Sequence, residues 1–136
     1  MPRLPPAPFA NDRVVLRQIG EQRWRLEASV TFVTPGHLKI NPPRVSVHRG
    51  FETDLASIPQ FFWNVLPPFG TYTAAAIVHD FLYDIQRTTR GQADGAFLAA
   101  MQSLGVGWWR RHGMWFAVRL FGWFAWRGRK VKPADD

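Results

Sequence analysis

The hydrophobic pattern changes period once along the chain, and that change limits the folds open to it. In "WRLEASVTFV", Trp24, Leu26, Ala28, Val30 and Phe32 alternate with Arg25, Glu27, Ser29 and Thr31, the period of two that a half-buried strand requires. "RVVLRQI" before it and "RVSVHRGF" after it read as two further strands, with turns at Gly20-Glu21 and Pro35-Gly36. Beyond Phe51 the pattern becomes helical. Asp54 or Ser57 offers an N-cap, Pro59 sits in the first turn and Pro67-Pro68 stops the run, so a short helix is expected over about 58–66. Thr71 or Thr73 caps a second helix running to about Gln86, and the turn "RTTRGQ" leads into a third over about 93–104, ended by Gly105. A last helix covers about 108–126. A small N-terminal antiparallel sheet followed by three to four helices is an α+β fold, and the short turn makes the central helix pair an antiparallel hairpin.

Residues 1–12 are proline-rich and read as a flexible arm, 13–130 as a single domain and 131–136 as a tail. The absence of cysteine excludes disulfides and thiolate zinc sites. The start, "MPRLPPAPFANDR", lacks the apolar run of a signal peptide, and no apolar stretch reaches membrane-spanning length, so neither a signal peptide nor a transmembrane helix is expected. The net charge of +7 favours an anionic partner, either a lipid surface or a nucleic acid. No Lys or Arg occurs between Arg49 and Arg87, where Glu52, Asp54, Asp80 and Asp84 fall. A basic chain thus encloses an acidic middle that suits a cation.

The stretch "AAAIVHDFLYD" lies in that middle. With His79 at zero and about 100° per residue, Tyr83 falls near 40°, Asp80 near 100° and Asp84 near 140°. Apolar residues fill the rest of the helix. A merely solvated face would carry Lys, Glu, Gln or Arg, which are better helix formers. His, Asp and Tyr are instead useful as bases, ligands and orienters. On the next helix Asp94 shares its face with Phe97, Leu98 and Met101, so it points into the core and needs a partner. His79 and Tyr83 are the candidates across the hairpin. Asp94 accepting from one imidazole nitrogen would leave the other for a water. The plainer alternatives are that Asp94 satisfies Tyr83 alone or caps its own helix.

His-Asp-x-x-Tyr on one helix, with an Asp on an antiparallel partner, resembles the active site of secreted phospholipase A2, above all its cysteine-free viral branch. The resemblance covers "AAAIVHDFLYD" and "ADGAFLAAM". It implies that His79 activates water, that Asp80 binds calcium, and that Tyr83 and Asp94 orient the histidine. That family completes the calcium shell with a glycine-rich loop, where this chain has "PPFGTYT" with the single glycine Gly70. Carbonyls around Gly70, or the carboxylate of Asp54, would have to supply the remaining oxygens. A second resemblance runs from about Trp24 to Leu120. "GFETDLASIPQFFW", "PPFGTY", "AAAIVHDFLYD" and "AD" resemble a family of short phage and prophage proteins of uncharacterised function. It implies a phage setting, with the protein in the host cytoplasm or the particle, and assigns no chemistry.

The segment "WWRRHGMWFAVRLFGWFAWRGRK" holds five of the seven tryptophans. Arg111, Trp115, Arg119, Trp123 and Arg127 recur every fourth residue, a row that suits peripheral contact with an anionic membrane. The same row could contact nucleic-acid phosphates and bases, or be cation–π packing within the fold. Three functions follow as expectations: a calcium-dependent lipid-ester hydrolase at anionic membranes, a non-catalytic phage particle or assembly protein, and a basic nucleic-acid binder. The hydrolase requires one His79 nitrogen on Asp94 and the other facing an open cleft beside Asp80, and it fails if His79 is sealed under side chains.

Overall fold

A computed structural model of the chain describes residues 14–20, 23–40, 43–53 and 73–128. Within them lie β1 (Leu16–Gly20), β2 (Arg23–Leu26), β3 (Val30–Val33), β4 (Arg44–Val47), β5 (Glu52–Thr53), α1 (Thr73–Ile85), α2 (Arg90–Ser103) and α3 (Trp108–Gly128). The fold is α+β, an antiparallel strand region followed by helices. The helix expected over about 58–66 lies outside the described residues, as do Asp54, Gly70, the N-terminal arm and the tail.

The long strand expected from Trp24 to Val33 is two strands in two sheets. Among the described residues β2 sits between β1 and β5, whereas β3 pairs only with β4, every pairing being antiparallel. The break falls where Leu26 has spent its backbone groups on the β5 side: its N–H donates to Phe51 O, and its carbonyl accepts from Gly50 N. Gly50 makes that return with a φ of +95°, a conformation open to glycine at little cost. The chain bends after Leu26, yet its alternation survives the bend. Leu26, Val30 and Phe32 are all buried and meet Val45, Val47 and Phe51 in one core. Each such aliphatic side chain contributes about 1.5–3 kcal/mol by leaving water.

The turn expected at Pro35-Gly36 is a single 3₁₀ turn, Gly36–Leu38, closed by Lys39 in the left-handed region. Leu38 of that turn rests against α2 at Gly95, where a Cβ would lie 2.7 Å from Leu38 Cδ2. The absence of a side chain at Gly95 lets the turn and the helix approach.

α1 packs on β3, β4, α2 and α3. Its alanines, Ala74, Ala75 and Ala76, are buried, as are His79, Asp80 and Tyr83. The narrow polar side expected of this helix is therefore mostly interior, and Asp84 alone of the four ionisable groups is exposed. α2 begins three residues earlier than expected, at Arg90, because Thr89 and Gln92 form a capping box: each side chain bonds the other residue's backbone N–H. It ends as expected at Gly105, whose φ of +80° permits the bonds Gly105 N to Gln102 O and Val106 N to Met101 O.

Candidate active site

Four side chains from three helices converge on one carboxylate. Asp94 is fully buried on α2, and its Oδ1 accepts hydrogen bonds from His79 Nε2 and Tyr83 OH, each at 2.7 Å, from α1. Its Oδ2 accepts from Arg90 at 3.3 Å, one turn earlier on α2, and from Arg119 at 2.9 Å on α3. An ionised carboxylate only accepts, so the Nε2 of His79 carries a proton. Among the described residues, no hydrogen bond engages His79 Nδ1. The imidazole is held between Tyr83 and Phe97, at ring separations of 4.2 and 4.7 Å, and is 2% exposed. The expected juxtaposition of His79, Tyr83 and Asp94 is present, whereas the ring is sealed between its neighbours and does not face the open cleft that the hydrolase requires. Asp94 does not cap α2, because Thr89 does.

Asp80, one residue on from the histidine, is also buried and accepts from Thr53 Oγ1 at 2.6 Å. That bond ties α1 to β5. Among the described residues, no group of three or more His, Asp, Glu or Cys side chains could hold a metal ion. Asp80 is thus the one described member of the expected calcium set, since Asp54 and Gly70 lie outside the described residues.

Arg90 also donates to the carbonyls of Val118 and Arg119, which fastens α3 to the site. The close fit reaches Gly122 on α3, where a Cβ would stand 2.5 Å from the Tyr83 hydroxyl. The expected anion-contact row is divided among several tasks. Arg119 turns inward to Asp94, Arg111 donates to Val106 O at 3.1 Å, Trp115 is half-buried, and Arg127 lies over the exposed Trp123 ring at 4.7 Å. Arg90 and Thr53 were not among the expected site residues, and Arg119, expected as an anion contact, instead joins the Asp94 cluster. For Arg90 a signal existed: it stands four residues before Asp94, the spacing of a helical ion pair.

Burial alone would raise the Asp94 carboxyl. The hydrogen bonds from His79 and Tyr83, the electrostatic interaction with His79 and the Arg119 hydrogen bond outweigh it and hold the group below the usual carboxylate range. Burial, together with the hydrogen bond to Asp94 and its negative charge, pushes the Tyr83 phenol well above its ordinary value. The two shifts act on opposite sides of neutrality. The Asp94 contribution to stability is complete above the unfolded value of about 4 and is lost as pH falls through the folded one. The Tyr83 contribution is present below about 10 and is lost as pH rises through its folded value. Urea unfolding across a pH series is expected to show wild-type protein losing stability below about pH 4 more steeply than Asp94→Asn, and above about pH 10 more steeply than Tyr83→Phe.

An α+β chain with a buried His–Asp–Tyr cluster on a helix hairpin is the class of protein so defined. It belongs to the family described as Protein of unknown function (DUF1353), whose model matches residues 24–118 and so takes in Thr53, both helices of the hairpin and Asp94. Uncharacterized protein y4jT of Sinorhizobium fredii (strain NBRC 101917 / NGR234) is 32% identical over 101 residues, which cover 73% of this chain and 29% of that protein. The chain therefore spans less than a third of that relative's length. No solved structure matches the chain significantly.

Proposed function

We propose that the helix hairpin is the site of a lipid-ester hydrolase working by the phospholipase A2-like route, in a phage or prophage setting. The observation that carries the reading is the 2.7 Å bond from His79 Nε2 to Asp94, which fixes the ring with Nδ1 left to take a proton. In the reaction, which requires the packing over the sealed ring to open, Nδ1 accepts a proton from water as the water oxygen attacks the ester carbonyl. The tetrahedral adduct then collapses, the acyl–oxygen bond breaks, and the alcohol leaves with the proton returned by His79. Asp94 and Tyr83 orient the base and do not themselves react. Calcium would be held by Asp80 with carbonyls around Gly70 or the carboxylate of Asp54, and would supply polarisation of the ester carbonyl.

A second reading has its own support. His79 is 2% exposed, and two arginines share Asp94, an arrangement that also suits a non-catalytic phage particle or assembly protein using the cluster to lock three helices. Fatty-acid release from anionic phospholipid vesicles, measured with calcium and with chelator, separates the two. Hydrolysis predicts release that depends on calcium. No release under either condition from folded protein would contradict it and leave the structural reading.

A further inference from the structure

α3 is apolar on the side where a surface helix is ordinarily charged. Met114, Ala117, Val118 and Gly122 face the core. On the opposite side Trp109, Phe116, Leu120, Trp123 and Phe124 are 84%, 59%, 55%, 44% and 70% exposed. At about 100° per residue these five side chains fall in one arc about 100° wide, centred opposite the buried face. Exposed apolar patches that are continuous along a helix mark a partner. The charge around this one is of a single sign: α3 contains no Asp or Glu, the exposed Arg110 stands beside the ridge, and the exposed Arg127 lies within it over Trp123.

We propose that this ridge lies in the surface of an anionic phospholipid bilayer, with the aromatic and leucine side chains at the boundary of the acyl chains and Arg110 and Arg127 on lipid phosphates. Tryptophan suits that depth, because its ring is apolar and its N–H stays near the headgroups. A second copy fits less well. Helices paired along this face would set arginines against arginines, with no acid on α3 to offset them. Among the described residues no helix is long and apolar enough to cross a membrane, and Arg119 reaches back from α3 to Asp94. The helix therefore rests along the bilayer, over about 30 Å of its length. The residues that make the contact are the outer ridge and not the Arg111–Trp115–Arg119 row, which faces the protein. This surface would bring the proposed hydrolase to its substrate, but its binding does not depend on that chemistry.

The test is sedimentation of the full chain with vesicles of phosphatidylglycerol and phosphatidylcholine, and with phosphatidylcholine alone, while following tryptophan emission. Partition onto the anionic vesicles should be at least about tenfold stronger, fall with added salt, and shift the emission to shorter wavelength. The variant carrying Phe116→Ser, Leu120→Ser and Phe124→Ser changes only exposed positions, and its fold is checked by far-UV circular dichroism. It should lose at least about tenfold in partition. Equal partition of the variant and the wild type would overturn the proposal. So would the absence of partition, whether the protein sediments as a monomer or as a dimer that the variant dissolves.

Discussion

Asp94→Ala is expected to lose about 3–5 kcal/mol of stability, the scale seen when one member of a buried charged network is removed. The change strands several groups at once. His79 Nε2 and Tyr83 OH lose their shared acceptor, and Arg90 and Arg119 lose the anion that draws them together. The arginine side chains are 20% and 35% exposed and recover some hydration, whereas His79 and Tyr83 are sealed and do not. The penalty therefore rests mainly on two orphaned donors and the cavity beside them. Against a total stability of about 5–15 kcal/mol it is severe. Urea unfolding followed by circular dichroism measures it, and a loss below about 1 kcal/mol would show that the cluster does not hold the helices.

His79→Gln is expected to keep most of the fold and abolish most of the hydrolysis. Glutamine can still donate to Asp94 Oδ1 from about the place of Nε2, so the carboxylate remains occupied. It offers no basic nitrogen to water. General-base catalysis of this kind is worth about 10²–10⁴-fold, and fatty-acid release should fall by that much while the unfolding midpoint moves little. Activity equal to wild type in the folded variant would remove His79 from the chemistry. The contrast with Asp94→Ala is informative: a purely structural cluster would lose stability in Asp94→Ala, keep most of it in His79→Gln, and have no rate to lose.

The strand and helix regions were legible because each carried a plain period or cap. Leu26, Val30 and Phe32 alternate through the bend as they would in one strand, so the pattern marks the buried face and says nothing of where the chain changes sheet. That change is set by Phe51 and Gly50, about 25 residues on, and a single sequence does not display such pairings. The start of α2 was legible in principle from Thr89 and Gln92, a capping pair within the segment read as a turn. His79, Tyr83 and Asp94 could be brought together because a short connection and helical phase suffice. Arg119 could not. Its spacing placed it in a row with Trp115 and Trp123, and only the packing of α3 across the hairpin turns it to Asp94. The separation of basic ends from an acidic middle along the chain likewise does not persist in space, since Arg23 and Arg25 of β2 pair with Glu52.

The charge on His79 bears on the central claim. A lone buried His–Asp pair tends to exist as imidazolium and carboxylate, and an imidazolium cannot take a proton from water. Arg90 and Arg119 share Asp94 Oδ2, while His79 Nε2 and Tyr83 OH share Oδ1. The most direct measurement is the nitrogen NMR spectrum of ¹⁵N-histidine-labelled protein, with the His79 signal assigned by comparison with His79→Gln. The base role predicts a ring with its proton on Nε2 and Nδ1 bare at about pH 8. A ring protonated on both nitrogens at that pH, or on Nδ1 alone, would contradict the account of His79 as the base.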